Sequence, residues 1–146
     1  MDHLAIMRKS WGLTPKLLSG KKTIESRWYK ARYPPWDRIG PGDTVYFKDS
    51  GSPVTVKAGV CAVKQFSGLD PKKVRDILDS YGREDGLEQE DISRFYELFR
   101  DKRYCILVFL RNPERTGPFD VDKAGFGTMS AWITIQDISS IRKRHP

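Results

Sequence analysis

Apolar positions recur along this chain with two different periods, and the switch between them divides it. Residues 3–8, HLAIMR, form a short apolar run that predicts a buried strand. Thr14-Pro15 follows, then Leu17-Leu18 and Gly20. A capping hydroxyl at Thr14, Pro in the first turn and Gly at the end predict a short helix. Period two then sets in: Thr23, Glu25 and Arg27 fall on one face of a strand, and Ile24, Ser26 and Trp28 on the other. DRIGPGD reads as a turn, DTVYFKD as a strand and SGSP as a second turn. VTVKAGVCAVKQF is a long strand in which Gly59 marks a bend or bulge.

The period then lengthens. DPKKVRDILDSYG has Asp-Pro at its start and Gly at its end, the punctuation of a helix. LEQEDISRFYELFRDK places Ile92, Phe95, Tyr96 and Phe99 at helical spacing and predicts a second amphipathic helix. YCILVFL is a buried strand, RNPERTGPFDVDKAGFGTMS a long loop rich in Gly and Pro, and AWITIQDI a last strand. About six strands, a short early helix and a helical pair at roughly 71–101 predict an α+β fold. The expected architecture is a partly closed β-barrel with helical decoration, one domain over residues 1–146.

Composition narrows the class. The 146 residues include no apolar run near the ~20 needed for a helical membrane span, so no membrane partner is expected. Met1-Asp2-His3 lacks the basic-then-apolar order of a signal peptide, and a cytoplasmic location is expected. Cys61 and Cys105 sit in apolar strands, the setting of buried thiols, and a disulfide between them is not expected. Two distant Cys, with His3 and His145 at the ends, do not have zinc-ligand spacing; neither metal nor other cofactor is expected. The net charge of +7 is concentrated early: residues 1–48 hold ten basic and four acidic residues. Such a concentration of positive charge points to phosphates.

The same third of the chain is dense in rings. Trp28, Tyr29, Tyr33 and Trp36 interleave with Arg27, Lys30, Arg32 and Arg38. Rings stack on unpaired bases while basic side chains take the backbone. Trp28, opposite Glu25 and Arg27, is expected in the core, as is Trp132; Trp11 either walls a cleft or fills the core. Tyr29, Tyr33 and Trp36, in a Pro-containing loop, are the stacking candidates. Lys21, Lys22, Arg27, Lys30, Arg32, Lys48 and Lys123 are candidate phosphate contacts, and IRKRH at the end is a basic tail. Glu25 stands alone among these cations. Flanked by Lys22 and Arg27 it should stay ionised, and it should raise the pKa of Lys22. It either organises a cationic cleft or accepts a bond from a base's amino group.

Gly20, Lys22, Glu25 and Arg27 spell G-x-K-x-x-E-x-R, directly after the short helix and opening a strand. With the G-D-x-V-x-F strand from Gly42 to Phe47, this resembles the ASCH domain family of the PUA-like superfamily. The resemblance implies a PUA-like barrel that binds single-stranded RNA or a modified nucleotide. It also implies an alternative, an RNA-processing enzyme: a ribonuclease or an amidohydrolase acting on 4-acetylcytidine. The hydrolase branch carries a catalytic Lys and Thr in the motif and a Glu further on. Lys22 stands in the place of the Lys and Glu25 in that of the Thr, so these two are the catalytic candidates. Glu90 is a loose match for the distant Glu, and Thr23 is the nearby hydroxyl.

Overall fold

The computed structural model describes residues 1–127 and 130–144. Six strands form one sheet: β1 (Asp2–Met7), β2 (Ile24–Tyr29), β3 (Thr44–Asp49), β4 (Val54–Phe66), β5 (Tyr104–Phe119) and β6 (Trp132–Ile135). Three helices decorate it: α1 (Thr14–Ser19), α2 (Pro71–Tyr81) and α3 (Ile92–Phe99). The sheet order is β2-β5-β4-β3-β1-β6, curled into a half-barrel with β2 and β6 as its two free edges. Neighbours are antiparallel except β1 and β3, which run parallel from the Asp2–Thr44 pair to the Met7–Asp49 pair.

Side-chain alternation fills both faces of the sheet. Ala5 and Met7 enter the main core with Phe47, Leu17, Trp28 and Ile106, which α1, α2 and α3 close. Leu4 and the half-buried Ile6 enter a smaller cluster with Val54, Phe119, Val121, Ile133, Ile138 and Ile141. Strand β1 is therefore covered on both sides, which is why its sequence is almost continuously apolar. His3 is buried at its start. Its Nε2 is 2.9 Å from Asp43 Oδ2, and its Nδ1 accepts from the Trp132 indole at 3.1 Å.

Several elements match the sequence reading. Asp70 caps α2 by accepting from the Lys73 amide, and the β4–β5 register shifts between Lys57 and Gly59. Others differ. The Thr14 hydroxyl does not cap α1; it donates to Asp49 Oδ1 at 2.7 Å and ties the helix to β3. α3 is shorter than the amphipathic pattern, because residues 89–91 form a 3-10 turn before it. Residues 111–119, expected as loop, continue β5, since β4 is long enough to pair with them and satisfy their backbone. Cys105 is buried as expected, but Cys61 is exposed on β4; both thiols are free. His145 of the basic tail, and Thr128 and Met129 of the glycine-rich loop, lie outside the described residues.

Candidate functional site

The motif sits at the corner between α1 and β2. Gly20 takes φ +79°, the left-handed conformation that ends α1 and turns the chain. The Lys22 amide then bonds the Lys16 carbonyl, and the amides of Thr23 and Ile24 both donate to the Glu84 carbonyl. Those bonds bring the turn after α2 against the start of β2. Gly86, at φ +89°, leaves room there: a β-carbon on it would stand 3.2 Å from Lys22 Cβ.

Lys22 is drawn inward and fully buried. Its ammonium donates to the main-chain oxygens of Ile24 and Asp85, each at 2.8 Å, and lies 2.5 Å from Asp85 Oδ1 and 3.0 Å from Glu25 Oε1. It therefore does not reach into a cleft as the sequence suggested. Two carboxylates and two carbonyls replace the water that the ammonium gives up on burial. Burial opposes its charge, but Asp85 and then Glu25 outweigh that and hold its pKa above the ordinary value. Lys22 is a permanent internal cation.

Glu25 is the hub that the sequence placed among cations. Oε1 faces Lys22 and Oε2 accepts from Arg27 Nη2 at 2.9 Å. Burial raises its pKa, yet Lys22 and Arg27 together bring it below the usual glutamate value, so it is ionised. Arg27 reaches onward from β2 to the Ile6 carbonyl of β1 at 3.3 Å and to the Ala131 carbonyl before β6 at 3.1 Å. Its guanidinium lies 5.0 Å over the Trp132 ring. The expected open phosphate contact is thus a strut across the seam of the half-barrel, only 12% exposed.

Asp85 is the member that the sequence did not reveal. Burial pushes its carboxyl up from the ordinary value, against the pull of Lys22, and makes it more basic than a surface aspartate. Ser26 Oγ donates to its Oδ2 at 2.5 Å and accepts from Trp28 Nε1 at 3.0 Å. REDG, the run that holds Asp85, carries no signal separating it from the other acidic residues of the helical region.

These groups form the polar floor of a cavity of about 200 Å³. Glu25, Ser26, Arg27 and Asp85 line it below, and Trp11, Trp28, Phe95 and Phe99 wall it. Trp28 and Phe99 stack face to face at 5.0 Å, and Trp11 meets Phe95 edge-on at 4.9 Å. Tyr29 lines the cavity as well; Trp28 is both core and wall, and the apolar stripe of α3 supplies two of the five rings.

The remaining candidates lie elsewhere. Lys30, Arg32 and Tyr33 are exposed in the loop after β2. Trp36 is half-buried there, edge-on to Tyr104 at 5.2 Å with Arg32 above it. Lys21 is exposed beside the motif, and Glu90 is exposed on the turn before α3. Lys48 and Lys123 are partly buried near each other; burial and then Lys123 lower the Lys48 pKa. None of these lines the cavity.

An edge-open, mixed six-stranded half-barrel of α+β class is the fold that the sequence led to, and comparison with known proteins defines it further. No protein-family model matches the sequence, and no curated protein matches it. Among solved structures, an ASCH protein from Zymomonas mobilis superposes with a TM-score of 0.67 at 19% identity, covering 98% of this chain and 96% of that one. A single-residue variant of that protein gives 0.66 at 18% identity, covering 95% and 93%. The N-terminal domain of McrB from Staphylothermus marinus gives 0.57 at 12% identity, also over 95% and 93%. The chain has the ASCH fold.

Proposed function

We propose that this protein binds single-stranded RNA or a modified nucleotide by admitting one base to the aromatic-walled cavity. The observation that carries the reading is the cavity itself. An apolar cavity of ~150 Å³ holds benzene, so 200 Å³ suits one nucleobase and not a run of stacked ones. Flat apolar walls over a hydrogen-bonding floor are what a base taken out of a stack requires. The exposed cations Lys21, Lys30 and Arg32, with Tyr33 and Trp36 and the more distant Lys48 and Lys123, would follow the sugar-phosphate chain outside. Lys22 and Arg27 shape the floor from within instead of meeting phosphate. The ASCH fold supports the same reading.

A second reading is favoured by one contact. The Ser26 hydroxyl is held by Asp85, a carboxylate of raised basicity, beside the fixed charge of Lys22. That pairing suits a hydroxyl nucleophile whose proton passes to a carboxylate. A hydrolase acting on 4-acetylcytidine or on RNA would use it, with Ser26 in place of the hydroxyl that the motif lacks at Glu25. Lys22, being charged, would not act as the base.

Tryptophan fluorescence titrations with single nucleosides and with short single-stranded RNA test the binding reading. Quenching by both is expected. RNA affinity should fall with salt at a log–log slope of about −2 to −4, as three to five phosphate contacts require. Quenching by neither ligand overturns the proposal. Product formation from 4-acetylcytidine or RNA, abolished in Ser26→Ala, would decide for the hydrolase.

A further inference from the structure

The polar floor has a fixed order of donors and acceptors. Lys22 offers nothing to the cavity, because four acceptors already surround its ammonium. The Ser26 hydroxyl has spent its hydrogen on Asp85, so toward the cavity it can only accept. Glu25 keeps a lone pair on Oε2 beside the Arg27 bond, and Asp85 keeps one on Oδ2 beside the Ser26 bond. Among the described contacts, Arg27 Nη1 gives one hydrogen to Ala131 and has a second to give. Followed contact by contact from Arg27 through Glu25 and the Lys22 ammonium to Asp85 with Ser26, the lining offers a donor, then an acceptor, then an acceptor.

The geometry points to guanine as the base that this cavity takes, with O6 facing Arg27, N1–H facing Glu25 and the N2 amine facing Asp85. This inference rests on the base-binding reading above and names its ligand. Guanine is the one standard base whose pairing edge presents two adjacent donors after an acceptor. Uracil presents acceptor, donor, acceptor, and would set a carbonyl oxygen against the Asp85 carboxylate. Adenine and cytosine each present a ring nitrogen lone pair at the centre, facing the ionised Glu25. A buried carboxylate facing a lone pair loses its solvation and gains no bond, which is a strong basis for exclusion.

The experiment measures the affinity of the unaltered protein for guanosine, inosine, 1-methylguanosine, adenosine, cytidine, uridine and 4-acetylcytidine, by calorimetry or tryptophan quenching. Guanosine should bind most tightly. Inosine differs only by lacking the N2 amine, and 1-methylguanosine only by blocking N1–H. Each should bind about 10-fold or more weakly, the factor for one lost base-edge contact. Inosine within about twofold of guanosine, less than any lost contact would give, overturns the assignment. So does tighter binding of any other nucleoside, 4-acetylcytidine included, while leaving the base-binding function in place. Absence of binding by every nucleoside and by short RNA removes both.

Discussion

Replacing Lys22 with Met tests whether the motif's lysine is an internal counterion or a ligand contact. Methionine keeps the length and apolar stem and removes the ammonium. Four contacts disappear, two of them to carboxylates that are 5% and 8% exposed. Removing one partner of a buried ion pair costs about 3–5 kcal/mol, because the other charge stays buried without compensation. At neutral pH the whole contribution is in place. A lysine whose folded pKa is raised gives stability that is complete below its ordinary 10.5 and is lost only as pH rises through the folded value. Urea unfolding at pH 7 should show a loss of about 3–5 kcal/mol. The acid limb adds a second, independent signature. In the native protein Glu25 is held below its ordinary 4.5, so its contribution is complete above that value and falls away below it. In Lys22→Met, Glu25 and Asp85 share a buried site with Arg27 alone, and one of them should take up a proton. Its folded pKa then exceeds the unfolded value, so the variant gains stability, relative to the native protein, as pH falls from neutral toward 4.5. A loss under about 1 kcal/mol with a pH-independent gap, the size of an exposed pair, would refute the counterion role. A stable variant that loses only RNA affinity would restore Lys22 as a phosphate contact.

Trp11→Ala should leave the circular dichroism spectrum unchanged and weaken nucleoside binding by about 1–3 kcal/mol, the value of one base-stacking ring; unaltered affinity would exclude Trp11 as a wall. His3 has its pKa lowered, chiefly by burial against the opposing pull of Asp43, so the unfolded chain binds the extra proton first. The unfolding free energy from urea titrations should therefore decline as pH drops below 6.5, by up to ~1.4 kcal/mol per pH unit, and the His3 ring should give neutral-form NMR shifts at pH 7. Gly82→Ala should destabilise by about 1–3 kcal/mol although Ala is the better helix former, and a gain in thermal midpoint would show that the space exists. Gly82 has ordinary helical dihedrals, and an added β-carbon would overlap the Leu78 carbonyl and stand 2.6 Å from Ile92 Cδ1.

Much of the fold was legible because local pattern and tertiary role agree. Short apolar runs and, at β2, period-two alternation marked β1 to β4 close to their bounds and located β6, and Asp70-Pro71 marked the start of α2 by a cap that the structure forms. The extension of β5 through Arg111–Phe119 was not legible. Its Gly and Pro content signals loop, and only the length of the facing β4 overrides that. Glu25 was found because one carboxylate among cations is conspicuous in sequence. Asp85 was hidden because it comes from a turn 60 residues later, made adjacent by the Glu84 carbonyl bonds to Thr23 and Ile24. Lys22 was assigned the wrong side of the surface for the same reason: a lysine's long stem reads as outward reach until its partner is known. Phe95 and Phe99 were recognised as an apolar stripe, but no periodicity separates a ring that fills a core from one that walls a cavity.

The seam between β2 and β6 has a consequence for how the protein breathes. Every other strand boundary in the sheet is closed by a ladder of backbone bonds, but here the guanidinium of Arg27 spans the gap to β1 and to the chain just before β6. Side-chain closures of this kind open at lower free energy than laddered ones. The same residue is part of the cavity floor. On the proposed base-binding reading, opening of the seam and entry of a base would both draw on Arg27. A bound base that engages Arg27 would slow amide hydrogen exchange in β2 and β6 together, while the β4–β5 ribbon kept its own rate.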